Sequence, residues 1–146
     1  MPEARRLDLL LVSGTFERAH YALAMASAAA ALDRPVTLFV TLAGVRAFLA
    51  PDERGRPAWE ALPVAPELAD QDAADGAGLD PGYRAQGVAG FEELLDACLS
   101  LGVEFMVCEM GLRALRLDAA MLRKDVPFRP GGLASLLARG GQLAVL

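Results

Sequence analysis

Histidine occurs once and cysteine twice in this sequence of 146 residues, and no long hydrophobic run is present. Each scarcity excludes something. Two unevenly placed cysteines do not make a disulfide framework, and a chain of this length needs none. It can bury roughly 68–70% of its unfolded surface in one domain. The nearest candidate for a membrane span, Tyr21 to Leu32, is short and mostly Ala, against the ~18 apolar residues a span requires. The start mimics a signal peptide, because Arg5 and Arg6 precede Leu9-Leu10-Leu11-Val12. The run is too short, Asp8 interrupts it and no cleavage site follows, so it reads as a first strand and the expected location is the cytoplasm. No basic run and no aromatic-basic interleaving is available to neutralise phosphates, which argues against nucleic acid as a partner. GxGxxG, GxxxxGKS/T and GxSxG are all missing. A metal site would need Cys108, His20 and carboxylates to converge, and no ligand spacing supports that. No metal and no cofactor are therefore expected.

What is present is apolar: 54% of the residues are hydrophobic, above the ~45–50% of an average domain, with Ala and Leu carrying the excess. The net charge of −5 is localised. Residues 51–90 hold eight acids (Asp52, Glu53, Glu60, Glu67, Asp70, Asp72, Asp75, Asp80) against three arginines, which leaves the remainder neutral. The same segment holds five of the nine prolines and six of the fourteen glycines. It reads as an excursion with one short helical turn near Trp59–Leu62, mobile or packed at a subunit interface rather than joining the sheet.

Leu7 to Val12 is an almost continuous apolar run, the pattern of a strand buried on both faces. Ser13-Gly14-Thr15 breaks it, and an Ala-rich helix follows from Phe16 to Leu32, ended by Asp33-Arg34-Pro35. Val36 to Thr41 is β-branched and aromatic, a second strand; Leu42 to Leu49 is a short helix. Phe91, Leu94, Leu95 and Cys98 recur at helical spacing, and Gly102 closes that helix. Val103 to Val107 forms a third strand, Glu109 to about Leu122 a helical stretch, and Asp125 to Pro130 a loop or short edge strand. A helix at 133–139 and a last strand at 142–146 complete the order. Strands alternating with helices give βαβ units and a mainly parallel sheet. The expected fold is a three-layer α/β sandwich, flavodoxin-like or Rossmann-like, formed by one domain over residues 1–146.

In such sheets ligands bind outside the carboxyl ends of the strands. Cys108 stands there, at the start of a helix, where a thiolate is favoured and water is expected to reach it. The competing reading is a small buried core residue. Cys98 lies on an apolar helical stripe and reads as core. A Cys98–Cys108 bridge is excluded by the ~16 Å that five residues of strand span at ~3.3 Å each. Ser13, Gly14 and Thr15 end the first strand at the same edge and either bind an anion or cap the helix. His20 either assists the thiol or packs on its helix.

Certain blocks carry a resemblance. Val12-Ser13-Gly14-Thr15-Phe16-Glu17-Arg18-Ala19, the Ala-rich helix, and Val36 through Val45 form the first. Phe91-Glu92-Glu93-Leu94-Leu95, Leu101-Gly102-Val103 and Val107-Cys108-Glu109-Met110 form the second, and Pro130-Gly131-Gly132-Leu133-Ala134 the third. Together they resemble the DsrE/DsrF/DsrH-like superfamily, in its DsrE-related branch, often labelled peroxiredoxin-like. Thr15 and Phe16 stand where that branch usually carries an acidic residue, and Gly111 where it often carries Ser. The resemblance implies a flavodoxin-like sheet, a homo-oligomer, and a cysteine persulfide sulfur carrier or sulfurtransferase with Cys108 as acceptor. It implies rhodanese-like or TusA-like sulfur carriers as partners. The backbone of 110–112, with Met110 and Gly111, and the Ser13-Gly14-Thr15 turn would support the anionic sulfur. The alternative is a non-enzymatic module that binds a small anion or nucleotide at the same edge.

Overall fold

The computed structural model describes residues 5–69 and 73–146; Asp70 and Asp72 of the acidic segment lie outside them. Five parallel strands form the sheet: β1 (Leu7–Leu11), β2 (Val36–Val40), β3 (Glu104–Cys108), β4 (Arg129–Gly131) and β5 (Gln142–Val145). Their order is β4-β3-β2-β1-β5. The chain steps outward from β1 to β4, then returns across the sheet to lay β5 against the other side of β1, so the strand order reverses at β1. The registers run Leu7↔Val36 to Leu11↔Val40, Thr37↔Glu104 to Val40↔Val107, and Met106↔Arg129 to Cys108↔Gly131. β1 and β2 are buried along their whole length, as their unbroken apolar runs require.

Helices cover both faces, giving the α/β, flavodoxin-like sandwich expected from the sequence. The larger core lies on one face. There Leu7, Leu9, Leu11, Val36, Leu38, Val40, Phe105 and Val107 meet α1 (Phe16–Ala31) and α3 (Phe91–Ser100). The alternate residues point to the second face, where Leu10, Phe39, Met106 and Cys108 meet Leu136 of α5 (Leu133–Leu137).

Five alanines of α1, Ala19, Ala22, Ala26, Ala29 and Ala30, are buried, and they let α1 and α3 pack closely.

The described residues of 51–90 stay out of the sheet, and the helical turn appears at Ala58–Ala61. They are nevertheless not an unstructured excursion. Trp59, Leu62 and Val64 are buried, and the Trp59 ring stacks on Phe91 with centroids 5.0 Å apart. A helix that sequence periodicity conceals, α2 (Gly76–Ala85), contains three glycines and Pro81. Two carboxylates supply what propensity does not. Asp75 accepts the Gly78 N–H at 2.9 Å and caps α2. Asp80, almost fully buried, accepts the Phe91 N–H at 2.7 Å and so caps α3 from outside that helix, with Arg84 at 3.3 Å.

The helix after β3 is also shorter than expected. α4 (Glu109–Ala114) ends before Arg116, whose φ of 55° takes the chain out of helical geometry. A 3-10 turn at Ala119–Met121 follows. Arg123 then anchors this return, with forked hydrogen bonds to Glu92 and to Asp125 at 2.7–3.0 Å.

Candidate functional site

Cys108 is the last residue of β3 and the N-cap of α4. Its backbone is extended, at φ −76° and ψ 118°, and its Sγ accepts the Gly111 N–H at 3.4 Å. The thiol is thus held by the first turn of a helix, as the sequence suggested. Its exposure differs from expectation: Cys108 is 1% exposed, closed in by Leu10, Phe39, Met106 and Leu136. Leu136 of α5, itself fully buried, packs over the second face of the sheet in the same cluster as the thiol.

Cys98 sits on the opposite side of the sheet, within the main core. Its thiol faces the Leu23 carbonyl at 3.4 Å, and burial pushes its pKa up to about 12. Both thiols are free, and the sheet separates them. The bridge excluded on sequence grounds is absent.

The other residues singled out from sequence do not all converge on Cys108. His20 is on α1, beneath the main-core face. Its ring is buried, its Nε2 lies 2.8 Å from the Ala89 carbonyl, and Tyr83 packs edge-on at 4.8 Å. A carbonyl can only accept, so Nε2 carries the proton and is committed there. His20 is a packed core residue on the wrong face to assist the thiol.

Ser13, Gly14 and Thr15 do end β1 at the carboxyl edge, but two strands from Cys108, or ~10 Å at ~4.8 Å per strand. There Ser13 Oγ takes the Thr15 N–H at 3.2 Å and meets Thr15 Oγ1 at 3.1 Å. Gly14 and Thr15 instead line an open cleft of about 800 Å³ with Arg46, Arg56, Glu60 and Leu117. Cys108 does not line it. Met110 is exposed beside the thiol, and Gly111 is buried against the end of β2.

Gly111 explains the geometry of the turn. A Cβ on it would lie 2.4 Å from Thr41 Oγ1 and 2.6 Å from the Leu42 nitrogen. Only glycine lets α4 start this close to β2 with its N–H directed at Sγ.

Two polar features escaped the sequence reading. One is Thr41, at the end of β2. The other is a row across the second face, Asp8↔Thr37↔Glu104, set side by side by strand register. Arg139 grips Glu104 through two hydrogen bonds at 2.8 and 3.1 Å and holds its carboxyl below the usual carboxylate range. Asp8 is fully buried with both oxygens lacking a hydrogen-bond partner among the described residues, and burial raises its pKa despite Arg6 at 3.9 Å. Alternation along three strands places all three on one face, a signal visible once the strands are aligned.

The model of the DsrE/DsrF-like family matches residues 9–141. The chain belongs to the DsrE/DsrF-like family. That family is generally linked to sulfur relay. No curated protein matches the chain. Two solved structures are similar to this DsrE/DsrF-like chain in fold. The protein of unknown function MTH1491 from Methanobacterium thermoautotrophicum is 15% identical, with a TM-score of 0.56, 97% of this chain covered and 99% of that one. The ychN protein from E. coli is 12% identical, with a TM-score of 0.58, 99% of this chain covered and 100% of that one. At these identities the likeness carries the DsrE-like fold alone. Among the described residues no helix is long and apolar enough to cross a membrane.

Proposed function

We propose that this protein is a sulfur carrier that holds sulfane sulfur on Cys108 as a persulfide. The observation that carries the reading is the Cys108 turn itself: a thiol at a strand end, capping a helix, with a backbone N–H on its sulfur, in a member of the DsrE/DsrF-like family. Cys98 is unsuited, because its raised pKa keeps it a thiol at neutral pH.

The chemistry needs no cofactor. The Cys108 thiolate attacks the outer sulfur of a donor persulfide, R–S–SH. The donor S–S bond breaks, R–S⁻ leaves, and Cys108–S–SH is formed. In the second step an acceptor thiolate attacks the outer sulfur, and Cys108 leaves as thiolate. No electrons are gained or lost overall. The partners in this reading are thiol-bearing carriers, of rhodanese-like or TusA-like kind by family resemblance, and the setting is the cytoplasm, where thiols stay reduced.

Access requires α5 to lift. Gly132 and Gly140 flank it, and a Cβ at either would meet nothing within 4 Å, so its ends have room to swing. A homo-oligomer is part of the same reading. On the Cys108 side of the sheet Leu133, Leu137, Leu143 and Val145 expose 40–67% of their surface, an apolar set that a second copy would cover.

A second reading, a module that binds a small anion or nucleotide, is favoured by the cleft at Gly14 and Thr15. Arg46 and Arg56 there make no ion pair among the described residues. Intact mass after incubation with a low-molecular-weight persulfide separates the two. The carrier reading expects a gain of one sulfur atom in wild type and in Cys98→Ser, and none in Cys108→Ser. No gain in any of them, together with a melting temperature raised by nucleotide or phosphate, would favour the module.

A further inference from the structure

The Thr41 hydroxyl is buried, 7% exposed, and its oxygen has no hydrogen-bond partner among the described residues. A buried hydroxyl left unpaired costs on the order of 1–3 kcal/mol, so such a group calls for an explanation. Its position supplies one. Thr41 continues β2 in strand geometry, at φ −148° and ψ 156°, and its N–H still bonds the Leu11 carbonyl at 3.0 Å. Continued by one residue, the register Val40↔Val107 sets Thr41 level with Cys108 at the spacing of adjacent strands, ~4.8 Å. Val40 and Val107 both face the main core, so Thr41 and Cys108 share the second face. Between them stands Gly111, which directs its N–H to Sγ and leaves the Thr41 hydroxyl against its own Cα. Thr41 makes no hydrogen bond to Sγ.

We propose that the Thr41 hydroxyl is the donor for the outer sulfur of a Cys108 persulfide, unpaired until that sulfur arrives. The inference rests on the sulfur-carrier reading. The second sulfur sits about 2 Å beyond Sγ, the length of an S–S bond, and comes within reach of the neighbouring strand end. Gly111 N–H holds the inner sulfur and Thr41 O–H the outer one. The oxygen keeps its proton, so the group fixes charge and position and takes no part in bond making.

The test uses Thr41→Val, which keeps the shape and removes the hydroxyl, and Thr41→Ser, which keeps the hydroxyl. Both are made in Cys98→Ser so that only Cys108 reports. Each is incubated with a low-molecular-weight persulfide, and the loaded fraction is read by intact mass. Thr41→Val is expected to load with an equilibrium constant about tenfold lower, the smaller end of a hydrogen bond to a charged group, and Thr41→Ser to load as the parent does. Alkylation of the unloaded thiol is expected to proceed at the parent rate in both. Thr41→Val is expected to melt no lower than the parent, because it loses only an unpaired group. Equal loading of Thr41→Val and parent overturns the proposal and leaves the carrier reading standing. A parent that takes up no sulfur overturns the carrier reading and the proposal with it. A Thr41→Val variant that loses melting temperature and alkylation rate together shows a structural hydroxyl, and that also overturns the proposal.

Discussion

Replacing Leu136 with Ala tests whether α5 is the cover that separates Cys108 from solvent. Leu136 is fully buried and is the residue through which α5 joins the cluster of Leu10, Phe39, Met106 and Cys108. A Leu→Ala change in a core costs about 2–5 kcal/mol, less where the site can collapse around the loss. This cluster has five members and sits under a helix of five residues, so the expected cost is near the lower end, ~2–3 kcal/mol. If α5 opens as a local unit, that energy appears as a larger open population before the rest of the fold is disturbed. At 1.4 kcal/mol per factor of ten, the alkylation rate of Cys108 should rise roughly 30- to 140-fold. The assay follows thiol alkylation in two backgrounds. Cys98→Ser reports Cys108 alone, and Cys108→Ser reports Cys98 alone. The Cys98 rate should stay unchanged, because that thiol lies on α3, packed against α1 on the other face. A lower melting temperature with an unchanged Cys108 rate would refute the argument. So would an equal rise at both cysteines, since Cys108 would then be reached only by unfolding of the whole chain.

Three further outcomes follow from the same geometry. Asp80→Ala removes the carboxylate that caps α3 and is expected to cost about 1–2 kcal/mol, read by urea unfolding; an unchanged midpoint would show the Phe91 N–H bond to be idle. Asp8→Asn should gain stability relative to wild type at neutral pH. The raised pKa of Asp8 means its ionisation opposes folding, a penalty that sets in as pH rises above 3.8, the ordinary value of the carboxyl. The gap should close as pH falls toward that value; a gap that widens on acidification contradicts the sign. Gly111→Ala should destabilise the turn and slow sulfur uptake, because its Cβ would meet Thr41 Oγ1 and the Leu42 nitrogen at 2.4 and 2.6 Å; an unperturbed melting temperature would show that the turn has room.

The sheet was legible because its strands are nearly pure apolar runs bounded by turn residues, and both cysteines could be placed by the pattern around them. Leu94, Leu95 and Cys98 declare a helical face; Cys108 follows a strand without a break. What the sequence concealed depends on contacts between distant segments. α2 carries three glycines and a proline, and it forms because Asp75 caps it and Asp80 ties it to Phe91. The helix after Cys108 looked longer than α4 is, since nothing local announces that Arg116 turns back or that Arg123 is clamped by Glu92, 31 residues away. The closure of Cys108 was hidden for the same reason: Leu136 is an ordinary helix residue until the chain returns across the sheet. Thr41 reads as the last residue of a strand, and only the alignment of β2 with β3 sets it level with Cys108, across Gly111.

The central claim is that sulfur resides on Cys108, and mapping that sulfur tests it most directly. The protein is loaded with a low-molecular-weight persulfide, trapped with an alkylating reagent and digested, and the peptides holding Cys98 and Cys108 are weighed separately. One additional sulfur is expected between Cys108 and the trapping group, with its loss when an acceptor thiol is added before trapping, and no extra sulfur on Cys98. Extra sulfur on Cys98, or a Cys108 peptide that never carries it, would contradict the account.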